Sequence, residues 1–355
     1  MMEPVLTLHE LMIGILAILI LVFLFIIALL IFSFREYRIV ENRQVWKEKI
    51  EEYLSRVIIE GTADQIDVDS DIEQYLRYRA FRRYFLNRLV ESERKFKGIA
   101  ADVLQQVFYT YKLDQEAYTL LRSRRPYLIA RGIQVLKIMK VAAALPEIKT
   151  KIKDKHIRIR QEAQYAIVYF EGFDGLAFLD QIKTVLSDWQ QLRILTFINI
   201  LPKDANPRLI TWLNSENPSV VVFALRLIQK FKVLELHKKL IPLLSHADNA
   251  VSLESIRTMF VLDVYDTADC LVAQYPSLGM PQQWEIIKGL GYTRAKDQID
   301  FLKLEFTNHP TAKGKESIAN SLVSLGELNY LINLKLTYND QDKNWKIITH
   351  VLDNR

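Results

Sequence analysis

Residues 144–172 read ALPEIKTKIKDKHIRIRQEAQYAIVYFEG, and the frame of this stretch returns in residues 213–231, LNSENPSVVVFALRLIQKF, and in residues 240–260, LIPLLSHADNAVSLESIRTMF. Extending the frame in both directions gives one position per unit: Ile99, Ala130, Ala163, Leu195, Ala224, Ser255, Ile287, Ile318 and Ile348. Successive steps are 31, 33, 32, 29, 31, 32, 31 and 30 residues. Self-similarity at this period predicts stacked helix pairs, because one pair buries its apolar faces only against its neighbours. Pro126, Pro207, Pro218, Pro281 and Pro310 fall at turns or helix starts in this frame, where a missing N–H costs little. Composition agrees: only 11 glycines and 10 prolines in 355 residues, with residues that favour helices joined by short turns.

The unit resembles the HEAT-repeat family, and within it the short bacterial type related to the bilin lyases. Pro146 matches the proline of that family's first helix, Asp154 its acidic turn residue, and Ile159-Arg160 the dipeptide that opens its second helix. Ala163, Ala166 and Ile167 match its small and aliphatic packing positions; Asn217-Pro218 with Val220, Ala224 and Leu225, and Pro242 with Asp248, repeat the pattern. The resemblance implies an all-α chain whose residues 74–355 form an α-solenoid of about nine helix pairs, roughly 80 to 90 Å long and curved. End pairs, from about Tyr75 to Tyr109 and from about Leu328 to Leu352, are expected to cap it, with 339–343 as the last turn.

Ahead of the repeats, residues 11–34 contain no charge, enough for a single transmembrane helix across a hydrocarbon core of about 30 Å. A cleavable signal peptide would need a basic leader, a shorter apolar run and a small-residue cleavage site, none of which is present. Glu3 and Glu10 precede the run, whereas Arg35, Arg38, Arg43, Lys47 and Lys49 follow it. The positive-inside rule therefore places a short tail, 1–10, outside and the solenoid in the cytoplasm, as in a single-pass protein of a bacterial inner membrane. Phe32, Phe34 and Tyr37 suit the interface. Residues 35–60 predict an amphipathic connector helix, with Trp46, Ile50, Tyr53, Leu54 and Val57 on one face and Gly61 as its stop. This face either packs on the first repeat or makes a short coiled-coil stalk. Residues 61–73 predict an acidic linker; Asp67, Asp69 and Asp71 imitate a calcium loop, but Ile72 and Tyr78 stand where that loop needs Gly and Glu.

Chemistry-bearing patterns are sparse. His9, His156, His237, His246, His309 and His350 show no metal-ligand spacing, and no G-x-S-x-G, Walker A or Rossmann fingerprint occurs. The diiron hydroxylases among HEAT-like proteins use His-Glu dipeptides within the repeats, and the one dipeptide here, His9-Glu10, precedes them. Cys270 reads as a small buried residue and allows no intramolecular disulfide. No catalytic, cofactor or metal residue is assigned, and no small-molecule substrate is expected.

Charge is localised. Residues 74–160 carry 21 Lys and Arg against 7 Asp and Glu, whereas 161–355 carry 20 against 22. The expected anionic-surface residues are Arg77, Arg79, Arg82, Arg83, Arg122, Arg124, Arg125, Lys149, Lys151, Lys153, Lys155, Arg158 and Arg160. They suit anionic membrane lipid, an acidic protein partner or nucleic acid, or form an ordinary solvated face. The expected function is a membrane-tethered scaffold or adaptor that binds a protein partner, within an envelope or polysaccharide-synthesis assembly. Nucleic-acid binding by the basic face, as in the HEAT-like repair glycosylases, is the alternative; a lyase is the third class.

Overall fold

The computed structural model describes residues 8–60 and 68–353, and among these every regular element is a helix. The expected tail and linker fall largely outside this set, at 1–7 and 61–67, and the flanking side chains of residues 31–43 lie outside it too. The chain divides into two units, Met1–Ala163 and Gln164–Arg355.

The first unit contains α1 (Leu8–Glu60), α2 (Ser70–Leu76), α3 (Arg79–Glu93), α4 (Ile99–Thr110), α5 (Leu113–Leu121), α6 (Pro126–Ile138), α7 (Leu145–Lys149) and the start of α8 (Ile157–Glu171). The expected spanning and connector helices are one continuous element, since no Gly or Pro interrupts residues 15–60. Met12–Leu30 has a mean hydropathy of 3.5 and is long and apolar enough to cross a membrane. The other half of α1 is a core element: Ile50, Tyr53, Leu54 and Val57 are buried, as the amphipathic spacing predicts. Tyr53, Phe85 and Tyr111 meet edge to face with centroids 5.4–6.4 Å apart, and Trp46 stands on Phe81 at 5.5 Å. Such pairs add about 0.5–1.5 kcal/mol beyond burial.

Within the stretch 61–73, expected to be an acidic linker, α2 begins at Ser70. Asp69 caps α2 by accepting the Asp71 and Ile72 amides at 3.0 and 3.3 Å, and Arg56 donates to its other oxygen at 2.6 Å. Burial opposes ionisation of Asp69, but the Arg56 bond and the two amides outweigh it and hold its pKa below the usual carboxylate value. Asp71 pairs with Lys49. Two of the carboxylates that imitate a calcium loop, Asp69 and Asp71, thus tie α2 to α1.

The second unit continues with α9 (Asp188–Leu195), α10 (Asn206–Leu213), α11 (Pro218–Phe231), α12 (His237–Leu240), α13 (Asn249–Leu262), α14 (Thr267–Gln274), α15 (Met280–Tyr292), α16 (Ile299–Asn308), α17 (Ala312–Ser324), α18 (Leu328–Leu336) and α19 (Lys343–Asp353). Alternate helices stack: α11 packs on α13, α13 on α15, α15 on α17 and α17 on α19, while α10, α12, α14, α16 and α18 each pack on the helix that follows. Ala224, Ser255, Ile287, Ile318 and Ile348 are fully buried in these stacked helices, where the frame puts them.

Helix ends share a second periodicity. Left-handed residues stand at Lys140, Gly172, Lys232, Asp263, Arg294 and Gly326, spaced 31 or 32 apart with one unit skipped between Gly172 and Lys232. After four of them the next amide donates to a carbonyl five residues back: Val141 to Leu136, Val233 to Ile228, Ala295 to Leu290 and Glu327 to Leu322, at 2.8–3.1 Å. This C-cap satisfies orphan carbonyls and turns the chain sharply. A 3-10 turn then follows at Ala142–Ala144, Leu234–Leu236 and Lys296–Gln298.

The frame fails at two positions. Ile99 opens α4 and is 73% exposed, so it does not occupy a stacked helix. Its neighbourhood departs from the pair pattern: α4 and α5 are joined at the left-handed Lys112, and α3 packs on α1, α4, α5 and α6. In α9 the buried residue is Ile194 rather than the adjacent Leu195.

Candidate anion-binding edge

Two ties establish that α3 and α6 run parallel: Arg131 of α6 donates to Asn87 of α3 at 2.8 Å, and Lys140 after α6 lies 3.8 Å from Glu93 at the end of α3. Burial raises the Glu93 pKa against the lowering effect of Lys140. The N-terminal ends of α3 and α6 therefore share one edge of the first unit. Arg122, which ends α5, makes a two-pronged bond to Glu147 of α7 at 3.0 Å, bringing the turns at 123–125 and 150–156 together on that edge. The basic clusters of the sequence, at 77–83, 122–125 and 149–160, thus converge.

This edge works against helix stability. The first turns of α3, α6 and α8 contain no acidic residue, and α3 starts on Arg79 and Arg82, α8 on Arg158 and Arg160. Cations at a helix N-terminus are disfavoured by the dipole, by roughly 0.3–1 kcal/mol each. By contrast α5 begins with Asp114 and Glu116.

The expected anionic-surface residues are not equivalent. Arg79, Arg82 and Arg83 are drawn inward to Glu116, whose carboxylate is buried and lies 3.7, 3.6 and 2.8 Å from them. Their charge is partly neutralised, which the sequence hides because the carboxylate stands 33 residues beyond Arg83. Arg122 is likewise committed to Glu147, and Arg160 donates to the Asp154 carbonyl at 3.0 Å. Arg77 lies over the Tyr78 ring, and Arg125 reaches the Tyr127 hydroxyl at 3.3 Å. Arg124, Lys149, Lys153, Lys155 and Arg158 are exposed and Lys151 is half-buried.

Deeper in the same unit Lys137 and Glu162 form a buried pair 3.8 Å apart. A cleft of about 330 Å³ between α1 and α3 is lined by Leu54, Ile58, Ile59 and Phe96 with Arg88, which pairs with Glu51 and Glu91.

Outside this edge, histidines serve turns and packing. Nδ1 of His246 accepts the Asp248 amide at 3.0 Å, Nδ1 of His309 accepts that of Thr311 at 3.3 Å, and buried His237 bonds Thr267 at 2.8 Å. Among the described residues no three His, Cys, Asp or Glu side chains gather as a metal site. Burial pushes the Cys270 thiol pKa up, away from a reactive thiolate. One surface escaped the sequence reading: Val185, ahead of α9, is 78% exposed, and Trp189 and Leu192, spaced i, i+3 on α9, are 72% and 55% exposed. That spacing was visible in the chain, but it reads equally as a buried face.

No protein-family model matches this sequence, and no curated protein matches it. Two engineered proteins solved by the Northeast Structural Genomics Consortium are similar to it in structure. One has 14% identity and a TM-score of 0.36, covering 86% of this chain and 98% of its own. The other has 13% identity and a TM-score of 0.24, covering 73% and 98%. Likeness at this level carries no argument about architecture or role.

Proposed function

We propose that this chain is a membrane-tethered α-solenoid of HEAT-like repeats that acts as a scaffold or adaptor, holding a protein partner at the cytoplasmic face of a bacterial inner membrane. One observation carries the reading: a single uninterrupted helix joins an apolar 19-residue run to the aromatic core of a body built from helix pairs. The stacked helices of the second unit and their recurrent C-caps support the repeat reading, since both follow the spacing of the sequence frame. The basic residues after the apolar run support the orientation. Membership of an envelope or polysaccharide-synthesis assembly belongs to the same proposal.

The test has two parts. The protein stays in the pellet on carbonate extraction, and alkaline phosphatase fused after Arg355 is inactive; release to the supernatant refutes the tether, and an active fusion reverses the orientation. In-membrane crosslinking of the intact protein then captures a defined partner through the helix pairs. The net charge of +14 over residues 74–160, from 21 basic and 7 acidic residues, favours nucleic-acid binding as the second reading. Salt-sensitive duplex binding by the full-length protein, with no crosslinked protein partner, would select it.

A further inference from the structure

We infer that the basic edge of the first unit is seated on the anionic lipid headgroups of the membrane that anchors the chain. This rests on the tether proposed above and adds an orientation to it. The direction of α1 carries the argument. Moving along α1 away from the apolar run, Trp46 meets Phe81 and Tyr84, Glu51 meets Arg88, and Ile58 and Ile59 line a cleft with Ser92 and Phe96. The two sets rise together, so α3 runs parallel to α1 and its N-terminal end is the end nearer the apolar run. Since α6 is parallel to α3, its N-terminal turn points the same way, and the Arg122–Glu147 bond brings the turn at 150–156 to that level. The edge that gathers Arg77, Arg124, Arg125, Lys151, Lys155 and Arg158 is therefore the membrane-facing edge.

The distance fits. From Leu30 to Trp46 is 16 residues, about 24 Å of helix, and Arg77 precedes Phe81 toward the membrane by a further few Å. The headgroup layer takes about 5–8 Å of this on one side. What remains is about one to two Debye lengths at physiological salt, which the ordinary tilt of a spanning helix, about 20°, and long Lys and Arg side chains close. Charge complementarity selects the occupant: multiple cations whose position at helix starts weakens the fold, held toward a leaflet bearing anionic lipid.

The experiment uses the full chain with Cys270→Ser and a donor dye on His156→Cys, in the 150–156 turn, or on Ala143→Cys, beyond the opposite end of α6. The protein is reconstituted into vesicles of phosphatidylcholine alone or with phosphatidylglycerol, each containing an acceptor-labelled lipid. Transfer from position 156 is expected to rise at least about twofold in the anionic vesicles and to fall back as salt approaches about 0.5 M, while position 143 changes little. Replacing Arg124, Lys151, Lys155 and Arg158 by Gln removes the rise; Lys183→Gln with Lys203→Gln leaves it intact, and an unchanged unfolding midpoint shows that the fourfold variant is folded. Flotation separates the two readings. Protein that floats with both vesicle types but shows equal transfer keeps its anchor and overturns the seated edge. Protein that floats only with anionic vesicles, with the rise at 156 intact, loses the anchor and keeps the edge. Duplex DNA bound through the same four residues with no lipid effect also overturns the proposal.

Discussion

Gly132→Ala sets two opposing effects against each other at one position. Gly132 lies inside α6, where glycine costs about 1 kcal/mol relative to alanine, so propensity alone makes the substitution stabilising. The structure gives the reverse sign. A Cβ at this site would stand 2.5 Å from the Leu121 nitrogen, 2.8 Å from its Cα and 3.0 Å from the Leu120 carbonyl carbon. These are backbone atoms of α5, which cannot rotate aside, and ordinary contacts between such atoms need about 3.5–4.0 Å. The helices must part by about 1 Å, enough to forfeit a quarter to a half of each dispersion contact between them. Buried Ala117, Leu120 and Leu121 on α5 and Ile129, Ile133 and Leu136 on α6 are the residues affected. Overpacking of this kind costs about 1–3 kcal/mol, so the net loss is about 1–2 kcal/mol after the propensity gain. For a unit of this size the unfolding midpoint falls by about 2 to 8 °C. Circular dichroism melting of the detergent-solubilised full-length protein measures it, and a midpoint that stays or rises refutes the close approach of α5 and α6.

Four further outcomes are expected. Ala163→Leu and Ala224→Leu, at fully buried sites, each lower stability by about 1–3 kcal/mol in chemical denaturation; two neutral variants would break the repeat register. Lys232→Gly and Arg294→Gly relieve left-handed backbone and raise stability by about 0.5–1 kcal/mol each, and a loss on both would contradict the cap geometry. Glu116→Gln costs about 1–3 kcal/mol, and a double-mutant cycle with Arg83→Gln shows coupling; strict additivity would deny the pairing. Burial holds the His237 pKa below 6.5, so the unfolded chain binds the extra proton first and stability declines as pH falls below about 6.5 toward the folded value. His237→Asn should flatten that part of the profile, and an identical slope in the variant would reject the assignment.

How far the chain could be read from its residues differs from element to element. The stacked helices of the second unit were legible from Ala224 onward because small and aliphatic residues recur at a fixed spacing, and burial enforces that spacing wherever one helix covers the next. It fails at Ile99 because the first helices pack on α1, so their apolar positions answer to an aromatic cluster and not to a neighbouring repeat. The amphipathic face from Trp46 to Val57 was visible for the opposite reason, being one continuous helical stripe. The basic segments were visible as composition, but their convergence was not: it depends on the parallel run of α1, α3 and α6, and on carboxylates such as Glu116 and Glu147 that lie far away in sequence. Local charge counts contain no information about which arginines a distant buried acid has already claimed.

The unbroken course of α1 has a mechanical consequence. Residues 15–60 contain neither Gly nor Pro, so no hinge separates the apolar run from the aromatic anchor that grips Trp46 and Tyr53. A helix of this kind is a lever. In a bilayer that thins or thickens, a spanning helix adjusts its tilt. From Leu30 to Glu60 the arm is about 45 Å, so a change of about 10° sweeps its far end through about 8 Å. With the apolar run across a bilayer as proposed, the first unit, clamped to that arm, would swing with it, and a difference in lipid thickness would become a displacement of that unit.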